Sequence, residues 1–473
     1  MKLAVTFALN TLVNFAIGLM VAKFLGPEEY GRFALALAVA IFLNTALFDW
    51  IRLAATRFYS ERVRIERPEV RATLDLTFAT ITAALCAVAI AVLLAGVNAQ
   101  LSSGLLALAV ATAVAHGMFD YHTALVRARF LDGAYSRLVL VKNILQLVFT
   151  AGGAWYFGSA KIALIGICLC VAGALVTARQ ALHDKAARPA LAARTLALDH
   201  MRYGLPIVIA SVLYQAIPLL NRSLITGFFG FAETGQYSLA YDIGIRLVAA
   251  VGSTLDVLLF QIAVRTDELH GLDRARAQVA RNFNMVLAVV LPACVGFWLV
   301  LPSLEALIVP AAYRGPFGEF LTLLLPGLFF YAMTVYGLNP VFQIAKRTLP
   351  MIAAALFGCA VNAALILTLP RGADATSFAI AHSAALAAGF AALAGFAIAS
   401  KPVWPRARDA GVTLAATVTM VGLLAPLRHL PPGLVTLALQ MAAGGLAYGL
   451  FAFTFDLAGL RARALGLLRP RLA

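Results

Sequence analysis

The chain has 473 residues, of which 62% are hydrophobic and only 12% are charged, and its mean hydropathy is +0.89. A soluble domain is about one-quarter charged, so these values exclude a conventional soluble protein. The net charge of +15 would suit a nucleic-acid partner, but the positions of the basic residues argue against that class. The five cysteines show neither the spacing of a metal site nor a disulfide framework, so we expect no metal.

Apolar segments recur from one end of the chain to the other. Each is about 20 residues long, which is the length a helix needs to cross the hydrocarbon of a bilayer. The pattern predicts an all-α polytopic membrane protein with about fourteen transmembrane helices. The predicted spans are 3–24, 31–52, 72–96, 103–125, 138–157, 162–182, 203–226, 235–262, 283–304, 319–340, 350–369, 375–399, 410–427 and 433–456.

The 37 Lys and Arg residues are distributed unevenly over the predicted loops. With the N-terminus in the cytoplasm, most of them fall at cytoplasmic loops and helix ends. The exceptions are Lys23, Arg32, Lys161, Arg314, Arg371 and Arg428 on the outer side, and Arg222 and Arg246 inside spans. This is the positive-inside pattern, which predicts that both termini are cytoplasmic. The basic charge is therefore a topology signal, and we expect a membrane and no nucleic acid as the partner.

Two outer turns have similar sequences. FLGPEEYGRFALA (24–36) follows the first predicted helix, and FFGFAETGQYSLA (228–240) follows the seventh. The identical residues are Phe24, Gly26, Glu29, Gly31, Leu35 and Ala36, opposite Phe228, Gly230, Glu233, Gly235, Leu239 and Ala240. Because both copies occupy the first outer turn of a six-helix half, they predict two lobes related as parallel repeats, a common plan in transporters.

The predicted organisation follows from this repeat and from a charged inner loop between the halves. It has an N-terminal six-helix lobe (1–182), a cytoplasmic inter-lobe loop (183–202) and a second six-helix lobe (203–399). Two further helices and a basic cytoplasmic segment (400–473) complete the chain.

The N-terminal stretch, from its asparagine-bearing first helix through LGPEEYG, resembles the Wzx-type polysaccharide flippases. These belong to the multidrug/oligosaccharidyl-lipid/polysaccharide (MOP) exporter superfamily. A later stretch, IVPAAYRGPFGEFLTLLLPGL (308–328), is similar to the same family's outer turn before the tenth helix. The resemblance implies two six-helix lobes around a central cavity in the bacterial inner membrane. It also implies movement of an undecaprenyl-diphosphate-linked glycan from the inner to the outer leaflet.

Arg246 is the leading candidate for contact with a substrate diphosphate. It lies about 16 Å from the outer end of its predicted helix, near the middle of the membrane. A charge at that depth costs at least about 2.5–3.5 kcal/mol, so it should face a cavity or a partner. Asp242 lies four residues earlier on the same helix face. Two interpretations stay open: Arg246 binds the diphosphate, or Asp242 and Arg246 form a structural pair.

A second candidate group lies in the seventh predicted helix. Arg222 is about five residues from the outer end, so its stem can reach the interface, or its guanidinium can line the cavity. Asn221 and Gln215 are its polar neighbours on this helix.

Two further groups are expected near the inner side. Asp49 and Arg52, with Asn44 before them, form either an inner gate for the substrate or an ion pair that anchors the helix end. His116 and Asp120 share a helix face and suit proton or cation coupling. In the fifth helix, Lys142 and Asn143 are weaker candidates for contacts with sugars.

The leading hypothesis is a flippase for a lipid-linked oligosaccharide, with a polysaccharide polymerase or export machinery downstream. We expect no cofactor beyond a coupling H⁺ or Na⁺, and no catalytic residues. The alternatives are a cation-coupled drug or metabolite antiporter of the same fold and a lipid II flippase. A membrane glycosyltransferase is disfavoured because no outer loop is long enough to carry a catalytic site.

Overall fold

The structure is a computed structural model that describes residues 2–96, 100–345, 347–370, 372, 374–400, 403–457 and 461. Within these ranges, the side chains of 2–9, 11–12, 253–254 and 256–258 are not described. Arg371 and most of the basic C-terminal segment, which entered the topology prediction, lie outside the described residues. All regular structure in the described ranges is helical, which confirms the all-α class.

The chain divides into two compact units. The first comprises Met1–Ser238 with Ala373–Ala375, and the second comprises Leu239–Gly372 with Thr376–Ala473. The lobe boundaries expected from the sequence, at 182 and 203, stay a prediction.

Ten helices are described wholly within the first unit. They are α1 (Lys2–Leu47), α2 (Asp49–Phe58), α3 (Glu61–Glu66), α4 (Pro68–Leu94), α5 (Ser103–Ala128), α6 (Asp132–Gln146), α7 (Gly152–Phe157), α8 (Ala160–Thr177), α9 (Arg179–Leu182) and α10 (Arg194–Phe229). A π-helical segment, Leu147–Ala151, joins α6 to α7, and a short 3₁₀ turn covers Pro189–Leu191. The helix α11 (Phe231–His270) begins in this unit and continues into the second.

The second unit contains seven further helices among the described residues. They are α12 (Leu272–Leu307), α13 (Pro316–Ala332), α14 (Asn339–Ile344), α15 (Leu349–Thr368), α16 (Thr376–Ala399), α17 (Ala407–Leu424) and α18 (Leu434–Thr454). A π-helical segment, Met333–Leu338, joins α13 to α14, and short 3₁₀ turns cover Ala311–Tyr313 and Pro426–His429.

Twelve helical segments among the described residues are long and apolar enough to cross a membrane, so the protein is a multi-pass membrane protein. The predicted number was about fourteen, and the difference arises at two places. Val13–Leu47 counts as one segment although its helix is broken at Gly26, and the sequence predicts two spans there. The predicted span 235–262 falls on α11, part of whose side chains are not described. The number fourteen therefore stays a prediction.

The segment α1 consists of two helices joined by a sharp kink at Gly26, where φ is 70° and ψ is 172°. Pro27 follows and removes a backbone donor, so the helical hydrogen bonding is interrupted here. The break coincides with the outer turn predicted between the first two spans. Gly230, at the matching position between α10 and α11, has nearly the same conformation, with φ 87° and ψ −179°. Both positions favour glycine because a side chain is strained at positive φ.

The two copies of the repeated motif also make equivalent contacts. The Glu29 carboxylate accepts a hydrogen bond from the backbone N–H of Ala160 at the start of α8 (2.8 Å). The Glu233 carboxylate accepts one from the N–H of Ala375, immediately before α16 (3.1 Å). Each glutamate thus satisfies a free donor and places negative charge at a helix N-terminus. The two similar sequences therefore adopt the same local structure.

The copies pack directly on each other within the first unit. A Cβ atom at Gly31 would overlap the backbone carbonyl of Phe231, and a Cβ atom at Gly235 would overlap that of Pro27. The Arg32 guanidinium lies 5.0 Å from the centre of the Phe231 ring and pairs with Glu28 and Glu29. These glycines let the helix backbones after the two outer turns touch.

Candidate functional site

The predicted inner-gate residues lie where α1 gives way to α2. α1 ends at Leu47, and after Phe48 α2 starts with Asp49, whose negative charge suits a helix N-terminus. The Arg52 guanidinium donates to the Asp49 carboxylate at 2.8 Å, and their side chains are 39% and 18% exposed, respectively. The pair therefore exists, and its position fits both interpretations made from the sequence.

Asp120, one of the two predicted coupling residues, contacts the predicted inner-gate residues. The Asn44 side-chain amide on α1 donates to the Asp120 carboxylate on α5 at 3.3 Å. Asp120 also lies within electrostatic range of Arg52 and of Lys142 on α6. From the sequence, the gate residues and the coupling residues were expected to form two separate groups. The structure places them in one cluster.

His116 extends this cluster by one turn of α5 and lies within electrostatic range of Lys142. Gly117, between His116 and Asp120, lets the end of α1 approach closely, because a Cβ there would lie 2.8 Å from the Phe48 ring and 3.0 Å from the Asn44 side-chain oxygen. The Asn44 side chain is buried, and its Oδ1 accepts no hydrogen bond from any described residue. We call Asn44, Asp49, Arg52, His116, Asp120 and Lys142 the α1–α5 polar cluster.

A group of hydrogen-bonded asparagines between α1 and α6 lies next to this cluster. The amides of Asn14 and Asn143 both donate to the Asn10 side-chain oxygen, at 2.8 and 2.9 Å. Asn143 is 3% exposed. The sequence singled out Asn143 but not its partners, which are remote in sequence. The π-helical segment that begins four residues later, at Leu147, is a local irregularity of a kind often found at functional sites.

The α10 candidates lie away from the polar cluster. Arg222 is 3% exposed and donates to the backbone carbonyl of Ala34 on α1 at 3.2 Å, and Asn221 is fully buried. Gln215 is half-buried. Ala34 and Asn44 are ten residues apart on α1, which is about 15 Å along a helix axis. The Arg222 contact and the α1–α5 polar cluster therefore lie at two different levels along α1 and do not form one site.

Asp242 and Arg246, the candidates in the second unit, lie one turn apart on α11, and both are half-buried. Midway between them, a methyl group at Gly244 would touch Leu321 and Leu328 of α13. Two residues correspond to a rotation of about 200° around a helix, so Asp242 and Arg246 point away from α13.

A charged network that was not expected from the sequence lies at the N-terminal end of α4. Arg71 is only 5% exposed, and its guanidinium donates to Asp75 at 2.8 Å. The Tyr121 hydroxyl on α5 donates to the same carboxylate at 2.7 Å. The guanidinium also lies 5.5 Å from the Tyr121 ring centre and 5.9 Å from that of Tyr59. The four-residue spacing of Arg71 and Asp75 is the one signal in the sequence for this network.

The network continues into the loop after α9. The Tyr59 hydroxyl donates to Asp184 at 3.3 Å, and the backbone N–H of Ala193 donates to the Thr73 hydroxyl at 3.0 Å. The predicted inter-lobe loop is therefore fastened to the first unit. Nearby, hydrogen bonds from Arg64 and then Arg129 hold the pKa of Glu61 below its ordinary value.

Comparison with known proteins finds one family model and several solved structures that match the chain. The model of a family described as "Polysaccharide biosynthesis protein" matches residues 20–309. A structure titled "Lipid II flippase MurJ, inward closed conformation" matches at 14% identity and a TM-score of 0.71, covering 96% of this chain and 98% of that chain. An inward-facing multidrug resistance transporter of the MATE family, in the MOP superfamily, matches at 14% identity and a TM-score of 0.58, covering 82% and 94%. No curated protein sequence matches the chain.

At 14% identity these structural matches establish the fold and nothing finer. The fold is the MOP-type fold that the sequence resemblance implied, so that expectation is confirmed. The Wzx branch within the superfamily stays a prediction.

Proposed function

We propose that this chain, which belongs to the family of polysaccharide biosynthesis proteins, is a flippase for an oligosaccharide linked to undecaprenyl diphosphate. It moves this lipid from the cytoplasmic to the periplasmic leaflet of the bacterial inner membrane. The observation that carries the proposal is the combination of a polysaccharide family match with a flippase-type helical fold. The flipped lipid then passes to a polysaccharide polymerase or export machinery, and both termini are cytoplasmic.

The physical task supports a transporter rather than an enzyme. The polyprenyl tail can stay in the bilayer, but the diphosphate and sugars must cross hydrocarbon, where unpaired polar groups are costly. A polar path that opens to each side in turn removes that cost without any covalent step. In this proposal the two lobes rock to give alternating access.

Arg246 binds the diphosphate in this proposal. Arginine suits that group because its guanidinium stays charged and forms two parallel hydrogen bonds to phosphate oxygens. Its half-buried position on α11, facing away from α13, supports a contact with a substrate. Asp242, one turn away, competes with the phosphate for the arginine and assists release.

The α1–α5 polar cluster couples transport to an ion in this proposal. Asp120 carries a carboxylate within an apolar helix, with Asn44 as a hydrogen-bond donor and Arg52 and Lys142 within electrostatic range. Binding of H⁺ or Na⁺ to Asp120 would change the balance of charge around it, which is a usual way to bias a transporter between two states. No other cofactor is required.

The same cluster favours a second candidate function. A carboxylate that binds a cation also suits a cation-coupled antiporter, and one matched structure is a multidrug transporter. A lipid II flippase is the third possibility, since the other matched structure carries that title.

Deletion of the gene followed by mass spectrometry of the membrane lipids separates these functions. The proposal predicts accumulation of undecaprenyl diphosphate that carries a complete repeat unit, together with loss of surface polysaccharide. Re-expression of the chain should reverse both effects. Accumulation of lipid II would favour the third candidate, and normal lipids with altered sensitivity to cationic drugs would favour the antiporter.

A further inference from the structure

A cavity of about 440 Å³ opens within the second unit, where α12 begins and α16 ends. Its walls are mostly apolar and come from α12, α14, α16 and the segment after α16. Phe283, Phe342 and Ala394 belong to the apolar wall, and Trp404 is part of its lining. The α1–α5 polar cluster belongs to the first unit, and none of the residues lining this cavity is part of it.

Two arginines give the cavity a positive charge. Arg276 on α12 and Arg347 after α14 both contribute to its lining, and no carboxylate does so among the described residues. Arg276 pairs at 3.2 Å with Asp273, whose side chain is 95% exposed, and such surface pairs are weak. Arg347 forms no ion pair with any described residue. Both guanidinium groups are therefore available to an anion.

The cavity also lies at the level of a membrane interface. The residues at its charged end occupy the start of α12 and the ends of α14 and α16, which the positive-inside pattern places at the cytoplasmic surface. Trp404 is 58% exposed, and tryptophan is enriched at the headgroup level of membranes. The apolar wall then extends from this level towards the hydrocarbon.

We propose that this cavity binds an anionic phospholipid of the cytoplasmic leaflet. An acyl chain occupies the apolar part, and Arg276 and Arg347 contact the phosphate. Basic pockets between transmembrane helices on the cytoplasmic side bind anionic headgroups for the same reason. The headgroup decides the specificity, because an acyl chain is as well solvated by other lipid tails as by the cavity. The lining contains none of the residues assigned above to the substrate or to a coupling ion, and the proposal does not depend on the flippase function.

Native mass spectrometry of the full-length protein in detergent provides the test. Phosphatidylglycerol and phosphatidylcholine with the same acyl chains are added in turn, and the bound lipid is counted. We expect wild-type protein to retain phosphatidylglycerol more strongly. Replacement of Arg276 and Arg347 by Gln should weaken its retention by about fivefold for each arginine. Arg274→Gln is the matched control, because Arg274 is exposed on the same helix and does not line the cavity.

A second pair of variants tests the apolar part without changing the charge. Ala394→Phe fills the cavity and should reduce phosphatidylglycerol retention, whereas Ala391→Phe, at an exposed position of α16 outside the cavity, should not. An unchanged elution volume in gel filtration and an unchanged Tm show that the variants are folded. This pair also keeps the proposal testable if the double arginine variant fails to fold.

Four results would overturn the proposal. The first is equal retention of the two phospholipids by wild-type protein. The second is an equal loss in Arg274→Gln and in the cavity variants. The third is displacement of bound phosphatidylglycerol by glycerol phosphate, which would show a simple anion site without a role for the chain. Binding of undecaprenyl phosphate that phosphatidylglycerol cannot displace would likewise overturn it and assign the cavity to the transported lipid.

Discussion

Charged side chains are used differently in two regions of the molecule. In the first unit, near the N-terminal end of α4, Arg71 is buried but shares the carboxylate of Asp75 with the Tyr121 hydroxyl. In the cavity of the second unit, Arg276 and Arg347 sit beside an apolar wall that supplies no carboxylate among the described residues. The difference separates charges that hold the fold together from charges that can receive a ligand.

The difference between the two regions follows from the free-energy cost of burying a charge. A buried guanidinium must have a partner, because an unpaired ion in an apolar setting is very unfavourable. An arginine at the edge of the membrane keeps its hydration and needs no internal partner. Removing a partner should therefore destabilise the first region, whereas the charges of the second unit should matter for ligands.

The largest effect is expected from Asp75→Ala, which removes the carboxylate beside buried Arg71. Loss of one member of a buried pair costs about 3–5 kcal/mol, and the 41% exposure of Asp75 places the cost towards the lower figure. Thermal unfolding of purified protein should show a clearly lower Tm. The control is Glu66→Ala, which breaks the exposed Arg62–Glu66 pair and should change the stability by at most about 1 kcal/mol. Equal Tm values for both variants would contradict a structural role for the buried network.

Arg246→Ala tests a charge of the second unit assigned to the substrate. Loss of a charged hydrogen bond to a diphosphate should slow flipping by roughly tenfold to a hundredfold, with near-normal protein levels in the membrane. Restoration of surface polysaccharide in the deletion strain measures the effect. Arg265→Ala, at an exposed position of the same helix, should complement fully. Full complementation by Arg246→Ala would remove this residue from the substrate path.

Asp120→Asn tests whether the first unit also contains a functional charge. The amide keeps the shape of the side chain but cannot bind a proton or cation in the same way. If Asp120 couples an ion, we expect flux to fall by about 5–150-fold and to lose its response to an imposed ion gradient. Exposed Asp132→Asn is the control. Retention of the gradient response in Asp120→Asn would reduce the α1–α5 polar cluster to a structural feature.

The smallest effect concerns the stability of the protein in acid, to which Glu61 at the start of α3 contributes. The pKa of Glu61 is held below its ordinary value of 4.5 by Arg64 and Arg129. Because the folded pKa is lowered, its stabilising contribution is present above pH 4.5 and is lost as the pH falls through the folded pKa. The Tm of wild-type protein should therefore fall more steeply below pH 4.5 than that of Glu61→Gln. Parallel curves for these two proteins would show that Glu61 is not linked to stability, and Glu268→Gln provides an exposed control.

The sequence predicted the fold well because the relevant signals are local. Hydropathy places each helix, and the two outer turns reveal their similarity through Gly26 and Gly230, whose positive φ requires glycine. The sequence did not show that Gly31 and Gly235 bring the two copies into contact, because that contact joins segments about 200 residues apart and depends on tertiary packing.

The candidate site was predicted less completely because its contacts also depend on tertiary packing. Pairs at helical spacing, such as Asp49 with Arg52, were recognised from the sequence. The contact between Asn44 and Asp120 joins two different helices and was not. Hydropathy shows that a residue lies in an apolar helix, but it does not show which face of that helix meets a neighbour.

The most direct measurement is flipping in proteoliposomes that contain the purified protein and the lipid-linked oligosaccharide from the deletion strain. Periodate, which does not cross the bilayer, oxidises only glycans on the outer leaflet, so the protected fraction reports the lipid inside. With wild-type protein and an imposed H⁺ or Na⁺ gradient, we expect the protected fraction to fall far below that of protein-free vesicles. A protected fraction that equals the protein-free value under both gradients would contradict the flippase function.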